Sequence, residues 1–481
     1  MVVIVSDNSN LGLQNVDSQT RQPFLINEIL VNFFVQSKIG YAGLERLSAC
    51  LGMKAIHLKT YQKKQLRVLQ NLVKQAEECC SNAASIVRQN YGAKDDDEII
   101  DISVLFDGSW HTRGYRSKLG FAAIIDADTG LVLDYQPYSK YCHACAIKLS
   151  KHKEDSAEFR TWYEAHKPNC DINFTGSSGA MEVQSCVEMF RRSLEKHKIR
   201  YTSLLSDGDS KAYNAVVEDA PYGKNKKTEH QECNNHAHKR HGTALRKARK
   251  DKKLGGRGKL QLTIKKCENL QAYYRAAIAA NVGNPEAMRV AVWATLLHTM
   301  STDEDPHHDY CPKGQESWCF YNKALALGET PVSHTTRKGN ISYKIASELV
   351  PIYERMSNPE LMKRLAKGVT QNPNESLHQV LHSRCPKASN VGFKQWEGMC
   401  ARSVCDFNMG SQYLLQNALT LGLEANEIMV AYAEKKDRIR IKRAEKAMQE
   451  GAKRRRTALQ RMKKIRKQKA ANKKDYCVGA F

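Results

Sequence analysis

Between Pro23 and Asn90 apolar residues return every three or four positions, as at Leu25, Ile29, Leu30, Phe33 and Phe34, the period of helices with one buried face. Tyr41 to Cys50 predicts one helix, Gly52 interrupts it, and Ile56 to Val68 resumes with His57, Lys59, Lys63 and Lys64 on it. The polar run Gly92 to Glu98 reads as a linker, and beyond it the period changes. Ile102–Phe106, Phe121–Ile125 and Leu131–Leu133 predict three short strands, the last two joined as a hairpin through Asp128-Thr129-Gly130. Ala180 to His197 predicts a helix that buries Val183, Val187, Phe190 and Leu194, with Ser178 as its N-cap. Tyr201–Ser206 is a fourth strand. From Cys233 to about Leu365 the pattern is helical again, most strongly over Asn269–Ala280, Pro285–Met300, Ile345–Arg355 and Glu360–Leu365. Asn374 then caps a helix through Leu377, Val380 and Leu381, which puts Glu375 in its first turn. Strands, a helix and another strand in that order make a mixed α/β fold, and Trp110, Trp293 and Trp318 are expected to pack in cores.

Composition changes this picture in two respects. Lys and Arg number 75 against 51 Asp and Glu, a net charge of +24, and such an excess points to a polyanionic partner, nucleic acid or an anionic membrane surface. The opening MVVIVSDNSN has no basic segment before its apolar residues and does not read as a signal peptide, and no apolar run approaches the ~18 residues that span a bilayer. The 15 cysteines are therefore expected to be mostly reduced thiols, and clustered ones become candidate metal ligands.

Three acids stand in similar settings. Asp107 and Asp207 each follow an apolar strand, and Glu375 opens a helix. Carboxylates so placed can hold a pair of Mg²⁺ (or Mn²⁺) ions, which clamp the attacking and leaving oxygens of an in-line phosphoryl displacement. Asp209 could replace or support Asp207, whereas Asp126 and Asp128 read as hairpin-turn acids. Cys142-x2-Cys145, twenty residues, then His166-x3-Cys170 is tetrahedral zinc spacing, and zinc there would staple an excursion too polar for its own core. His143 and His152 are spare ligands. Cys233-x2-His236, with His238 and His241 nearby, looks like a half-site, and Cys311 and Cys319, with His307 and His308, form a looser cluster. The two short helices around Gly52 read either as a helix-turn-helix that contacts DNA through Lys59, Lys63 and Lys64 or as a plain helical subdomain with a solvated basic face. Lys239, Arg240 and Arg246 lie in a second basic stretch, His236 to Lys253. The tail from Lys435 to Lys474 carries nineteen basic residues against three acids, among them Arg454, Arg455, Arg456, Lys463 and Lys464. It reads as a charged helix or disordered arm, suited to nuclear import and sequence-blind DNA binding.

The strings DGSWHTRG at Asp107, SKYCHAC at Ser139, GSSGAMEV at Gly176, SDGDSKAY at Ser206, ECNNHAHKRHG at Glu232 and QNPNESLH at Gln371 together resemble the Mutator-like DDE transposases, in particular the animal group with a Mutator-like transposase domain. NVGNPEAMRVAVWAT at Asn281 and STDEDPHHDYCPKGQESWC at Ser301 extend the likeness over roughly residues 25 to 420. The resemblance implies an RNase H-like catalytic core with Asp107, Asp207 and Glu375 as its metal-binding triad. Cys233 and His236 match the short Cys-x2-His motif of these transposases, with His236 supporting the site. It divides the chain into a helical N-terminal region (1–98), a first core part (99–232) with a zinc-binding excursion (139–175), a mostly helical insertion (233–368), a second core part (369–430) and a basic tail (431–481). The chain opens almost at once on its helical region, so a truncated copy or a short member without a separate N-terminal zinc finger is expected. The implied activity is divalent-metal-dependent cleavage and strand transfer on double-stranded DNA in the nucleus, by a protein that oligomerises when it pairs element ends. A copy that binds DNA without cutting it is the alternative, and a general RNase H-like nuclease a third reading.

Overall fold

The computed structural model describes residues 25–37, 39–113, 116–206, 211–256, 258–336, 339–387, 389–420, 422 and 425–449. The chain forms two compact units, residues Met1–Asn71 with Asn408–Phe481 and residues Leu72–Phe407. In order, the elements begin with α1 (Leu25–Gln36), α2 (Gly40–Cys50) and α3 (Leu58–Asn90). Three strands follow, β1 (Ile100–Trp110), β2 (Leu119–Asp126) and β3 (Val132–Ser139). Next come α4 (His143–Leu149), α5 (Ala157–His166), α6 (Ser178–His197), β4 (Ile199–Ser206), α7 (Lys211–Asp219) and β5 (Glu229–Glu232). A run of helices continues with α8 (Asn234–Asp251), α9 (Ile264–Ala280), α10 (Pro285–Met300), α11 (Phe320–Ala326), α12 (Tyr343–Met356) and α13 (Pro359–Leu365). The last are α14 (Asn372–Arg384), α15 (Phe393–Met409), α16 (Tyr413–Thr420) and α17 (Glu427–Met448).

In the first unit α1 and α3 are tied by a buried ion pair between Glu28 and Lys64, and α2 is anchored by the Tyr41 hydroxyl, which donates to Ile56 O at 2.9 Å. Asp437 of α17 accepts from Ser411 N at 2.9 Å.

The second unit holds a five-stranded mixed sheet of order β3-β2-β1-β4-β5. β1, β2 and β3 are antiparallel neighbours, whereas β4 runs parallel to β1 and β5 parallel to β4. One face is covered by α6 and α7, where Phe190, Met189 and Val216 bury against Ile102, Val104, Phe106 and Leu204. The opposite face receives α14 and α15: Trp396 is fully buried and its indole donates to Gly120 O at 2.9 Å. Removing such aromatic and aliphatic surface from water, at about 25 cal/mol per Å², is what holds the layers together. A separate, all-helical core joins α8, α9, α10, α12 and α13 around Leu245, Leu270, Tyr274, Val292, Leu349 and Tyr353.

Several local expectations are corrected. Asp107 does not end its strand, because β2 supplies ladder partners for β1 as far as Trp110↔Gly120. Gly108 likewise stays in the strand, where a Cβ would come within 3.1 Å of the Glu182 side chain. Ser177, not Ser178, caps α6 by accepting from Ala180 N; Ser178 is buried, its hydroxyl donating to Ser117 O. α14 starts two residues before Asn374, whose amide is turned onto the sheet instead of the helix end. Trp318 is 40% exposed, stacked on Tyr273, and not a core residue. β5 was not expected, since Glu229-His230-Gln231-Glu232 carries no apolar run and pairs only as an edge strand.

Candidate functional site

α14 is fixed on the sheet turn by turn. Gln371 Nε2 donates to Phe106 O at 3.0 Å, the residue before Asp107. Asn374 Nδ2 lies 3.5 Å from the carbonyl of Ala123, the register partner of Asp107 in β2. One helical turn on, His378 Nδ1 is 3.6 Å from Asp107 Oδ2, and a further turn on, His382 Nε2 is 2.8 Å from Ser109 Oγ. Residues four apart share one helix face, so this set lies along the side of α14 that meets β1. Burial pushes His378 down to about 3 and His382 down to about 4, with Lys387 acting in the same direction on each, so both rings are neutral near pH 7. Asp107 therefore has a neutral imidazole beside it rather than a competing positive charge. Its side chain is 19% exposed.

Glu375 leaves the same first turn in another direction and is half exposed, with Lys239 Nζ at 3.7 Å and His236 Nε2 at 3.9 Å from Oε1. Those two residues come from α8, which starts where the helical lobe leaves the sheet. The lobe closes on itself there: Cys233 Sγ accepts from Gln371 N at 3.4 Å, Asn234 N donates to Val369 O at 3.4 Å, and Asn235 pairs with Asn372 at 2.9 Å. At the base of this neck the buried Glu232 carboxylate takes Arg240 from α8 and Arg364 Nε, at 2.8 Å, from α13. This closure explains how Glu375 returns to the sheet after so long an excursion. Asp207 follows Ser206, the last residue of β4, which is registered against Glu232; Asp207 and Asp209 themselves lie outside the described residues. Asp126 is a structural acid, buried and accepting from Thr129 N and Oγ1 at 2.7 Å each.

Beside Glu375, α8 and the α12–α13 corner enclose a cleft of ≈730 Å³ that carries Lys239, Arg240, Lys247, Arg355 and Arg364. Arg246 points elsewhere, to Gln271 Oε1 at 2.9 Å. In the first unit Lys59 and Lys63 are exposed while Lys64 is turned inward to Glu28. Arg454, Arg455, Arg456, Lys463 and Lys464 lie outside the described residues.

The excursion after β3 brings Cys142, Cys145, His166 and Cys170 together, their ligand atoms all within 4.8 Å of one another. Cys142 Sγ is 3.3 Å from His166 Nε2 and Cys145 Sγ 3.5 Å from Cys170 Sγ. Burial works to raise the Cys142 thiol, but the backbone N–H groups of Cys145 and Asp171 and the His166 ring outweigh it and bring it down to about 7, toward the thiolate a metal takes. The group could bind zinc. His143 and His152 are not part of it. Cys233 and His236 belong to no cluster of three or more such ligands among the described residues, and His241 is sealed in the helical core. His308, Cys311 and Cys319 do cluster, with a fourth residue, His298, that the sequence reading missed; His307 faces Asp305 instead. His378 and His382 were also missed, although their spacing from Asn374 was visible in NESLHQVLH.

No curated protein matches the chain, and no solved structure does. A family model described as Mutator-like transposase matches residues 6–319, a span that takes in Asp107, Asp207 and both Cys/His clusters and stops before Glu375. With well over half of its length so matched, the chain belongs to the Mutator-like transposase family.

Proposed function

We propose that this protein is a DNA transposase of the DDE type, cutting and joining DNA strands at element ends with Asp107, Asp207 and Glu375 as its catalytic acids. The observation that carries the reading is the docking of α14: the helix that bears Glu375 is hydrogen-bonded to the residue before Asp107 and reaches toward the residue across from it. The sheet order β3-β2-β1-β4-β5, antiparallel in its first three strands and parallel in its last two, supports an RNase H-like core.

The donor chemistry fits a hard divalent ion, since all three residues offer carboxylate oxygens, the ligands that Mg²⁺ and Mn²⁺ prefer. Bound there, such ions supply positive charge to the attacking and leaving oxygens of the phosphoryl transfer. The chain's own groups do the rest. His378, neutral and packed between β1 and α14, orients Asp107 without neutralising it. Lys239 and His236 stand at Glu375 on the side of the basic cleft. The cleft matches a phosphate backbone, because cations held on rigid helices gain affinity by releasing condensed counterions from DNA. The basic tail adds sequence-blind attraction and a route into the nucleus, and pairing of two element ends calls for more than one copy of the chain. The Cys142–Cys170 group holds structural zinc in this reading.

Labelled double-stranded DNA carrying candidate terminal repeats, incubated with the full-length protein and Mg²⁺ or Mn²⁺, tests the activity. Nicking that Asp107→Ala, Asp207→Ala and Glu375→Ala each reduce by 10³-fold or more, on the order expected for loss of a metal-holding acid, supports it. Binding without nicking supports a copy that has kept only DNA recognition, and faster cutting of an RNA–DNA hybrid supports a general nuclease.

A further inference from the structure

We propose a second zinc site, of Cys2His2 type, inside the helical lobe: His298, His308, Cys311 and Cys319, with His334 and Asp303 as its outer support. It does not depend on the proposed catalytic reading.

All four side chains are buried, and their ligand atoms lie within 4.8 Å of one another. His298 Nδ1 and His308 Nδ1 are 3.2 Å apart; Cys311 Sγ is 3.6 Å from His298 Nδ1 and 3.9 Å from His308 Nδ1; Cys319 Sγ is 3.6 Å from His308 Nδ1. A tetrahedral zinc with bonds of ~2.0–2.1 Å to nitrogen and ~2.3 Å to sulfur has edges of ~3.3 Å between nitrogens and ~3.6 Å between nitrogen and sulfur. The four distances lie within about 0.3 Å of those edges.

The hydrogen-bond chain behind His308 points the same way. Asp303 is dedicated to His334: Oδ1 takes both the His334 backbone N–H at 2.7 Å and ring Nδ1–H at 2.6 Å, while Ser333 donates to Oδ2. With its proton on Nδ1, His334 accepts at Nε2, and its partner there, at 2.8 Å, is His308 Nε2. His308 is therefore the Nε2–H tautomer, which leaves a bare lone pair on Nδ1, aimed at His298 Nδ1 and the two sulfurs. A bare imidazole nitrogen of this kind, turned toward two thiols and a second ring nitrogen, is the donor that zinc takes from histidine. A ligating histidine whose other nitrogen donates onward toward a carboxylate is the usual outer arrangement at zinc.

The surrounding sequence gives the ion a task. Among the described residues between Ser301 and Ser342 the chain has one short α-helix, α11, and a single 3-10 turn at His334–Thr336, and it leaves Tyr310, Trp318, Leu325, Leu327 and Val332 exposed, so this segment buries little of its own apolar surface. Zinc would tie it to α10 through His298.

Zinc released from purified full-length protein by a mercurial and counted with a chromophoric chelator tests the proposal. The wild type is expected to hold two equivalents, His298→Ala with Cys319→Ser one, and Cys142→Ser with Cys145→Ser one. Asp303→Asn keeps every ligand and covers the case in which ligand variants fail to fold. It should lose one equivalent to a competing chelator about 10- to 100-fold more readily, the other unchanged. Zinc that stays at two equivalents in His298→Ala/Cys319→Ser overturns the site, as does a wild type whose whole zinc content vanishes with Cys142→Ser/Cys145→Ser.

Discussion

His241 lies in the core of the helical lobe, its ring stacked on Tyr274 at 4.5 Å and edge-on to Tyr353 at 5.1 Å. Neither ring nitrogen finds a hydrogen-bond partner among the described residues, and burial pushes its pKa down to about 3. The unfolded chain takes up a proton near pH 6.5 that the folded one refuses. The stability tied to this residue is therefore whole above about 6.5 and falls as the pH drops toward 3, by about 1.4 kcal/mol per pH unit. Urea denaturation at pH 7 and pH 5 should show wild-type stability dropping with acid, and His241→Phe should flatten the drop by about 2 kcal/mol. An unchanged slope in the variant contradicts this assignment. At this scale the sequence was a partial guide. It brought out the Cys142 cluster by spacing, but His241 and His298 look alike in the string, each a histidine on a helix. Only packing separates a ring closed among tyrosines from one facing two thiols.

Elements were legible where their period was strong, as for α10, whose bounds match the pattern, and illegible where the partner strand or lobe makes the element. β1 outruns its apolar stretch because β2 continues the ladder past Asp107, and β5 exists only as an edge to β4. The neck is the clearest case: Glu232 is buried between Arg240 and Arg364 and ties β5 to α8 and α13. Removing one member of a buried pair costs several kcal/mol, less where the partners reach water as these arginines do. Glu232→Ala is expected to destabilise the protein by about 3 kcal/mol, read as a lower urea midpoint, while Glu229→Ala, on an exposed pair with Lys367, should cost under about 1 kcal/mol. Equal effects from the two would contradict the role given to the neck.

Across the whole chain, the functional reading rests on acids drawn from distant stretches of sequence onto one sheet. The described part of that convergence is the closure of the helical lobe, which returns α14 to β1, and the strand β4 that ends next to Asp207. Charge and the spacing of the Cys142 cluster were readable because they depend on composition and local sequence alone; the docking of α14 on β1 was not, because it depends on contacts between residues far apart in the chain. The most direct measurement of it loads the full-length protein with iron(II) in place of magnesium and adds ascorbate and peroxide, which cut the backbone beside the bound ion. Cuts close to Asp107, Asp207 and Glu375, all suppressed by excess magnesium, are the predicted result. Cuts confined to one of the three, or indifferent to magnesium, would contradict a shared metal site.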